Sequence, residues 1–256
     1  MSKNVLIIDI GNTATELAVF NDGNLQEFLG FFKLPSEIDD LKKELIKNSK
    51  RGLKVDDGMI FSVVPCINEK VGNVVKEVFG VSLKVFDWQH YELKNKNTNI
   101  KEAIGADLLA DIIGARKESL FPCLIADFGT ITKLLYLDEK SSFEGLSLLP
   151  GLETTIKSYS FNTALLPELK KSQLPKNRLG LNTAESMFHG VYYSTVYYVN
   201  ETLKSLGNSK IKLVVTGGNL RYLKDAFEGA HINPELTLKG MYELYTEVEK
   251  WNIEIS

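Results

Sequence analysis

Apolar runs bounded by turn residues alternate along this chain with segments of helical periodicity. The strand-like runs cover residues 5–8, 17–20, 26–33, 59–64, 82–86, 123–126, 134–137, 143–148 and 212–215. The segments with helical spacing of apolar positions cover residues 38–48, 68–79, 106–118, 152–165 and 183–206, and a further helix begins near residue 220. Because strands and helices alternate, the pattern predicts an α/β architecture in which helices cover a sheet on at least one face.

Two of the strands end in similar turns. Residues 9–13 (DIGNT) follow the first strand, and residues 127–130 (DFGT) follow the strand at 123–126. The Gly lets backbone N–H groups approach an anion closely, and the Asp can hold a metal ion or water. A single Asp-x-Gly after a strand is most often an ordinary hairpin turn, but two copies in the same context favour a duplicated phosphate-binding hairpin.

The duplication also predicts the domain organisation. The two Asp residues are 118 positions apart, so the chain is expected to form two related lobes, at residues 1–118 and 119–256. Two such hairpins facing each other would form a nucleotide cleft between the lobes.

Composition narrows the classes of partner. The net charge is −3, and no basic block is present that could follow a phosphate backbone, so nucleic acid is not expected as a partner. No apolar run approaches the ~18–20 residues of a membrane-spanning helix, and the run at residues 5–8 is too short for a secretory signal. A cytoplasmic location is expected. Cys66 and Cys123 both lie beside strand-like segments, where buried thiols are common, and they form no metal-ligand pair.

Six short motifs occur in an order that resembles type III pantothenate kinases, of the actin and sugar-kinase superfamily. They are residues 9–13 (DIGNT), 105–107 (GAD), 127–130 (DFGT), 150–151 (PG), 180–183 (GLNT) and 216–218 (TGG). The resemblance covers nearly the whole chain. It implies two actin/sugar-kinase-like (ribonuclease H-like) lobes around a central nucleotide cleft.

The resemblance implies a reaction and a set of functional residues. The reaction is ATP-dependent phosphorylation of pantothenate to 4′-phosphopantothenate, the first step of coenzyme A biosynthesis, with Asp107 as the catalytic base. The residues matched to ATP binding are Asp9, Ile10, Gly11, Asn12, Thr13, Glu16, Thr130, Gly217 and Gly218. The residues matched to pantothenate binding are Gly105, Ala106, Asp107, Leu108 and Thr183.

The same resemblance implies the cofactors and the assembly. Asp127 matches a residue that holds a monovalent cation, K⁺ or NH₄⁺, while Mg²⁺ would arrive with the ATP phosphates. A homodimer is expected. Two plainer interpretations stay open, since Gly217 and Gly218 could merely form a strand-to-helix turn, and Thr183 could merely cap a helix.

The chain departs from the family pattern at several positions. Leu108 stands where Arg is usual, Leu181 where Lys or Arg is frequent, Glu16 where many members carry Lys, and Lys133 where Thr is usual. A Leu cannot replace the donors of a guanidinium. Two hypotheses follow: a working kinase with a remodelled acceptor site, or a catalytically weak or inactive paralogue that acts as a nucleotide- or metabolite-binding regulatory protein.

Overall fold

The computed structural model describes residues 2–87, 105–169 and 177–255. In chain order the strands are β1 Asn4–Ile10, β2 Thr15–Asn21, β3 Asn24–Phe32, β4 Asp57–Ser62, β5 Lys84–Val85, β6 Cys123–Phe128, β7 Ile131–Leu137, β8 Phe143–Pro150, β9 Lys212–Thr216 and β10 His231–Ile232. The helices are α1 Ile38–Lys50, α2 Asn68–Phe79, α3 Ala106–Lys117, α4 Leu152–Asn162, α5 Thr183–Ser205, α6 Leu220–Leu223 and α7 Leu236–Ile255. Short 3₁₀ turns cover Pro65–Ile67 and Lys224–Ala226.

The described residues form two compact units. Residues 2–87, 105–118 and 236–255 make the first, and residues 119–169 and 177–235 make the second. The sequence prediction that residues 119–256 form one lobe is wrong at its end, because α7 belongs to the first unit.

The first unit contains a five-stranded sheet in the order β3-β2-β1-β4-β5. The meander β1 to β3 is antiparallel, whereas β4 pairs with β1 and β5 with β4 in parallel. Because side chains alternate between the two faces of a strand, Leu6, Ile8 and Ile10 lie on one face, in the core that includes α1 and α2. Ile7 lies on the opposite face, in the core that includes α3 and α7.

Helices α3 and α7 approach each other closely enough to require glycine. A Cβ on Gly240 would lie 1.8 Å from the backbone oxygen of Ala110, and one on Gly114 would lie 2.6 Å from that of Leu236. Beside this contact the Thr237 hydroxyl donates a hydrogen bond to the buried Asp111 carboxylate at 2.7 Å. The glycines therefore allow the last helix to pack in the first unit.

The second unit repeats the topology of the first. Its sheet has the order β8-β7-β6-β9-β10, with an antiparallel meander from β6 to β8 and parallel pairing of β9 with β6 and of β10 with β9. Leu124, Ala126 and Phe128 point into a core that includes α4 and α5. The predicted α/β fold with two related lobes is confirmed. Within the described ranges, no helix is long and apolar enough to cross a membrane.

Candidate functional site

The first hairpin joins β1 to β2 through a tight turn at residues 11–14. The Gly11 N–H donates to the Ala14 oxygen at 3.0 Å, and a Cβ at Gly11 would lie 3.0 Å from the same oxygen. Asn12 and Thr13 are exposed at the tip, whereas Ile10 is fully buried and anchors the strand. The turn therefore presents the predicted polar residues to solvent on a rigid base.

Two carboxylates lie opposite each other where this hairpin begins. Asp9 on β1 is the direct antiparallel partner of Glu16 on β2, and both side chains are half-buried. Directly opposed positions have Cβ atoms about 4.5–5.5 Å apart. Two like charges at that separation repel an anion unless a cation lies between them and it. Among the described residues no cluster of three or more His, Cys, Asp or Glu forms a complete metal site.

Asp107 occupies the second position of α3. Gly105 precedes the helix in an extended conformation, and the Leu108 N–H donates to Asp107 Oδ1 at 2.9 Å. A Cβ at Gly105 would lie 2.7 Å from that oxygen, so a larger residue would crowd the carboxylate. Ala106 is buried in the core and fixes the first turn, while Leu108 is half-buried.

The first unit places Asp107 and the carboxylate pair on one side of its sheet. Asp9 lies on the same face as Ile7, since the two positions differ by two along β1. That core contains Ile7 together with Ala106 and Leu109 of α3. Helix α3 therefore begins on the side of the sheet that carries Asp9.

The second hairpin joins β6 to β7 and is held by groups outside the DFGT motif. The Thr130 backbone oxygen accepts from the Gly151 N–H at 2.9 Å and from the Thr154 hydroxyl at 2.7 Å. The Asn219 side-chain amide donates to the Gly129 oxygen at 2.9 Å. A Cβ at Gly151 would lie 2.1 Å from that oxygen. Thr130 is thus exposed on a turn that is held by Gly151, Thr154 and Asn219.

Sequence reasoning missed the part that Asn219 has in this arrangement. It is buried, and its backbone N–H also donates to the Phe128 oxygen at 2.7 Å. The available signal was its position directly after the TGG motif.

Asp127 lies at the end of β6 beside a lysine. Its partner across the hairpin is Lys133 on β7, and the Lys133 ammonium forms an ion pair and hydrogen bond with Asp127 Oδ2. The Asp127 side chain is 7% exposed and that of Lys133 13%. These residues fit a bound monovalent cation poorly, because a fixed positive charge already contacts the carboxylate that the ion would use.

The two glycines of the TGG motif differ in their surroundings. Gly217 has φ of +93°, and a Cβ there would lie 2.3 Å from Asp127 Oδ1 and 2.6 Å from the Phe128 nitrogen. Gly218 is exposed, with no atom within 4 Å of a built Cβ. Gly217 is therefore required by its conformation and its packing, whereas Gly218 is not.

Thr183 is the first residue of α5 and is exposed. The helix is capped by Asn182, whose side chain accepts from the Glu185 N–H at 2.9 Å, while Glu185 accepts from the Leu181 N–H at 2.9 Å. Asn182 is therefore the N-cap, and Glu185 satisfies the N–H of the residue before it, which is a variant of the capping box. It leaves the Thr183 hydroxyl unneeded as a cap, so the plainer interpretation of Thr183 is wrong.

An open cavity of about 530 Å³ lies at this helix start. It is lined by Tyr159, Leu166, Gly180, Leu181, Asn182, Thr183, Ser186 and Met187. Gly180 approaches α5 so closely that a Cβ would lie 2.3 Å from the Ser186 nitrogen. The Leu181 side chain is 88% exposed.

The structure distributes the predicted site residues between the units. The first unit holds Asp9, Ile10, Gly11, Asn12, Thr13, Glu16, Gly105, Ala106, Asp107 and Leu108. The second holds Asp127, Thr130, Thr183, Gly217 and Gly218. Each unit gathers its own set, and the cleft between lobes stays a prediction.

The two cysteines lie in different environments. Cys123 is fully buried, and burial raises the pKa of its thiol to about 12, so it stays protonated. Cys66 is exposed, which corrects the expectation that both thiols are buried.

Comparison with known proteins identifies the family. The family model for type III pantothenate kinase matches residues 5–205. The type III pantothenate kinase of Agathobacter rectalis is 29% identical over 260 residues, covering 98% of this chain and 100% of its own. The type III pantothenate kinase of Petrotoga mobilis is 30% identical over 262 residues, covering 96% of this chain and 99% of its own.

Solved structures agree on the fold. A Baf family protein from Campylobacter jejuni has a TM-score of 0.62 at 19% identity, covering 96% of this chain and 99% of its own. A TM-score of 0.53 at 14% identity relates the chain to the activator of 2-hydroxyisocaproyl-CoA dehydratase from Clostridium difficile, solved with bound ADPNP. The match covers 100% of this chain and 98% of the activator. At these identities the likeness concerns the fold alone. With the family model and both relatives spanning most of its length, the chain belongs to the type III pantothenate kinase family.

Proposed function

We propose that this protein transfers the γ-phosphoryl group of ATP to the primary hydroxyl of pantothenate, giving 4′-phosphopantothenate and ADP in the first step of coenzyme A biosynthesis. The observation that carries this proposal is the repeated hairpin, present at the same place in two units of identical topology. The carboxylate of Asp107 at the start of α3, on the side of the first sheet that carries Asp9, supports it.

Each hairpin offers groups that can bind phosphate. Phosphoryl transfer needs positioning and charge neutralisation more than covalent participation by the protein. Residues 10–13 and Thr130 offer backbone N–H groups and hydroxyls on turns fixed by internal hydrogen bonds. The exposed Gly218 leaves room for the adenosine to lie against the loop after β9.

The carboxylate pair Asp9 and Glu16 fits a divalent cation. Both ligands are hard oxygen donors, the type that Mg²⁺ prefers, and Mg²⁺ usually completes its shell with water and substrate phosphates. When bound, Mg²⁺ neutralises charge on the transferring phosphate. Glu16 thereby becomes compatible with a nearby triphosphate.

Asp107 would act as the base. Its carboxylate takes the proton of the pantothenate hydroxyl as that oxygen forms a bond to the γ-phosphorus, and the bond to the β-phosphate oxygen breaks to release ADP. Gly105 keeps the space beside the carboxylate open. The N–H of Leu108 donates to Oδ1 and fixes the orientation of the carboxylate.

The residues that the family resemblance matches to pantothenate are proposed to bind the acceptor. Gly105, Ala106 and Leu108 surround Asp107 along the chain, and the Thr183 hydroxyl borders the cavity at the start of α5. A homodimer in the cytoplasm is part of this proposal, as the family resemblance implies. The monovalent cation that the resemblance also implies is not needed for the proposed chemistry.

A second candidate is a catalytically weak paralogue that binds nucleotide without turnover. The apolar side chains of Leu108 and Leu181 favour it, because they supply no donors to pantothenate. The acidic groups that the chemistry requires are nevertheless present, which favours the kinase.

A coupled ADP-release assay with ATP, Mg²⁺ and pantothenate tests the proposal. Asp107→Asn should lower turnover by about 10²–10⁴-fold, the contribution typical of general base catalysis, while affinity for a non-hydrolysable ATP analogue stays within about twofold. Asp39→Asn is the matched control, because Asp39 is exposed and occupies the same second position of α1. Wild-type protein that binds the analogue but never phosphorylates pantothenate would support the paralogue instead.

A further inference from the structure

The second hairpin carries its own positive charge. Lys133 and Asp127 face each other across β6 and β7, and both side chains are largely removed from solvent. Lysine in a buried position is costly unless it is paired, because its ammonium is strongly hydrated in water. The pairing therefore accounts for the presence of Lys133 at this place.

The carboxylate is enclosed on its other side as well. The Gly217 Cα packs against Asp127 Oδ1, close enough that a Cβ would lie 2.3 Å away. On β9 the parallel partner of Asp127 is Thr216, which is fully buried. A diffusible ion would have to displace the Lys133 ammonium from Oδ2 or enter against the Gly217 loop.

The position of the pair links it to the phosphate-binding turn. Asp127 and Lys133 flank residues 129–130, whose backbone oxygens are held by Asn219, Gly151 and Thr154. Neutralising Asp127 keeps a negative charge away from the place where the proposed function puts the ATP phosphates. A positive charge is thus needed beside Asp127, and the Lys133 side chain provides it.

We infer that the Lys133 ammonium replaces a monovalent cation at Asp127, so that this protein binds ATP and turns over without K⁺ or NH₄⁺. The part about turnover rests on the proposed kinase function. Lys133 is a positioning residue here, since it acts through Asp127 and the turn.

The experiment compares wild type, Lys133→Thr, Lys133→Arg and Lys140→Thr in 100 mM NaCl or KCl buffers. Lys140 is an exposed lysine on the β7–β8 turn and serves as the matched control. The readouts are the Kd for a non-hydrolysable ATP analogue, the thermal midpoint, and turnover. Sodium at equal ionic strength separates a specific ion effect from screening.

Wild type, Lys133→Arg and Lys140→Thr should differ by less than about twofold in Kd between the two salts. Lys133→Thr should bind the analogue roughly tenfold or more weakly in NaCl, the size expected for loss of a charge-assisted contact, and recover in KCl. Its thermal midpoint should also rise with K⁺, whereas that of wild type should not.

Several results would overturn the inference. A wild-type Kd or thermal midpoint that depends on K⁺ shows that Lys133 does not replace the ion, even if Lys133→Thr fails to fold. A Lys133→Thr variant that folds and shows no K⁺ response is equally negative. Absence of turnover in every salt would instead refute the kinase proposal, while the binding and thermal readouts still decide the part about Lys133.

Discussion

Replacing Gly217 by Ala should damage the second unit, whereas the same change at Gly218 should not. Gly217 has φ of +93°, where an L residue costs ~1–2 kcal/mol. Its new Cβ would also meet Asp127 Oδ1 at 2.3 Å and the Phe128 nitrogen at 2.6 Å. The carboxylate cannot retreat easily, because Lys133 holds it from β7.

The expected magnitude follows from adding these two costs. Overpacking a filled site typically costs ~1–3 kcal/mol, so Gly217→Ala should lower the free energy of unfolding by roughly 2–5 kcal/mol. For a chain of this length that lowers the melting temperature by on the order of 5–15 °C. Gly218→Ala should change the free energy by less than about 0.5 kcal/mol, since the site is exposed and open.

Differential scanning calorimetry of the two variants and wild type measures this difference, and titration with an ATP analogue shows whether nucleotide affinity falls with it. Affinity should fall for Gly217→Ala, because the variant displaces either Asp127 or the turn that follows it. Melting of Gly217→Ala within about 2 °C of Gly218→Ala would refute the reasoning, because the close approach would then be easily relieved.

Two further predictions concern charged and titrating groups in the first unit. Glu16→Gln should raise the Mg²⁺ concentration needed for half-maximal turnover by roughly tenfold, the value of one lost charge-assisted contact, and an unchanged Mg²⁺ titration would contradict the carboxylate pair as the metal-holding group. Burial and the 2.9 Å hydrogen bond that the Tyr245 hydroxyl donates to Asp57 Oδ2 raise the pKa of Tyr245. The protonated hydroxyl should therefore stabilise the fold fully below about pH 10, and this stabilisation should be lost as the pH rises further. Urea unfolding should show that the free energy of unfolding of wild type falls with pH in alkaline solution, and that this fall is smaller for Tyr245→Phe. The same fall in both proteins would contradict this role of Tyr245.

The sheets and most helices were predictable because their signals are local. Buried strands such as residues 123–126 have a continuous apolar composition, and the two similar hairpin motifs indicate the duplication from the sequence alone. The docking of α7 onto α3 was not predictable in this way. It depends on Gly240 meeting Ala110 and Gly114 meeting Leu236, which are contacts between residues far apart in the chain.

The ion pair in the second hairpin can be predicted from the sequence only when the pairing of the two strands is known. Lys133 departs visibly from the family pattern, but the motif alone does not identify Asp127 as its partner. Residues 129–131 lie between the paired Phe128 and Thr132, so Asp127 and Lys133 are opposite each other, and opposite charges at directly paired positions attract. The register of the first hairpin likewise places Asp9 opposite Glu16, where the two like charges repel each other.

The two hairpins share the same strand topology but differ in charge. The first places two carboxylates opposite each other, whereas the second pairs a carboxylate with an ammonium and is neutral. A divalent cation that accompanies a nucleotide would be attracted by the two carboxylates of the first hairpin. The carboxylate of the second hairpin is already paired with the Lys133 ammonium. This difference explains why Glu16→Gln should alter the response to Mg²⁺ and Lys133→Thr the response to K⁺, with neither variant changing both.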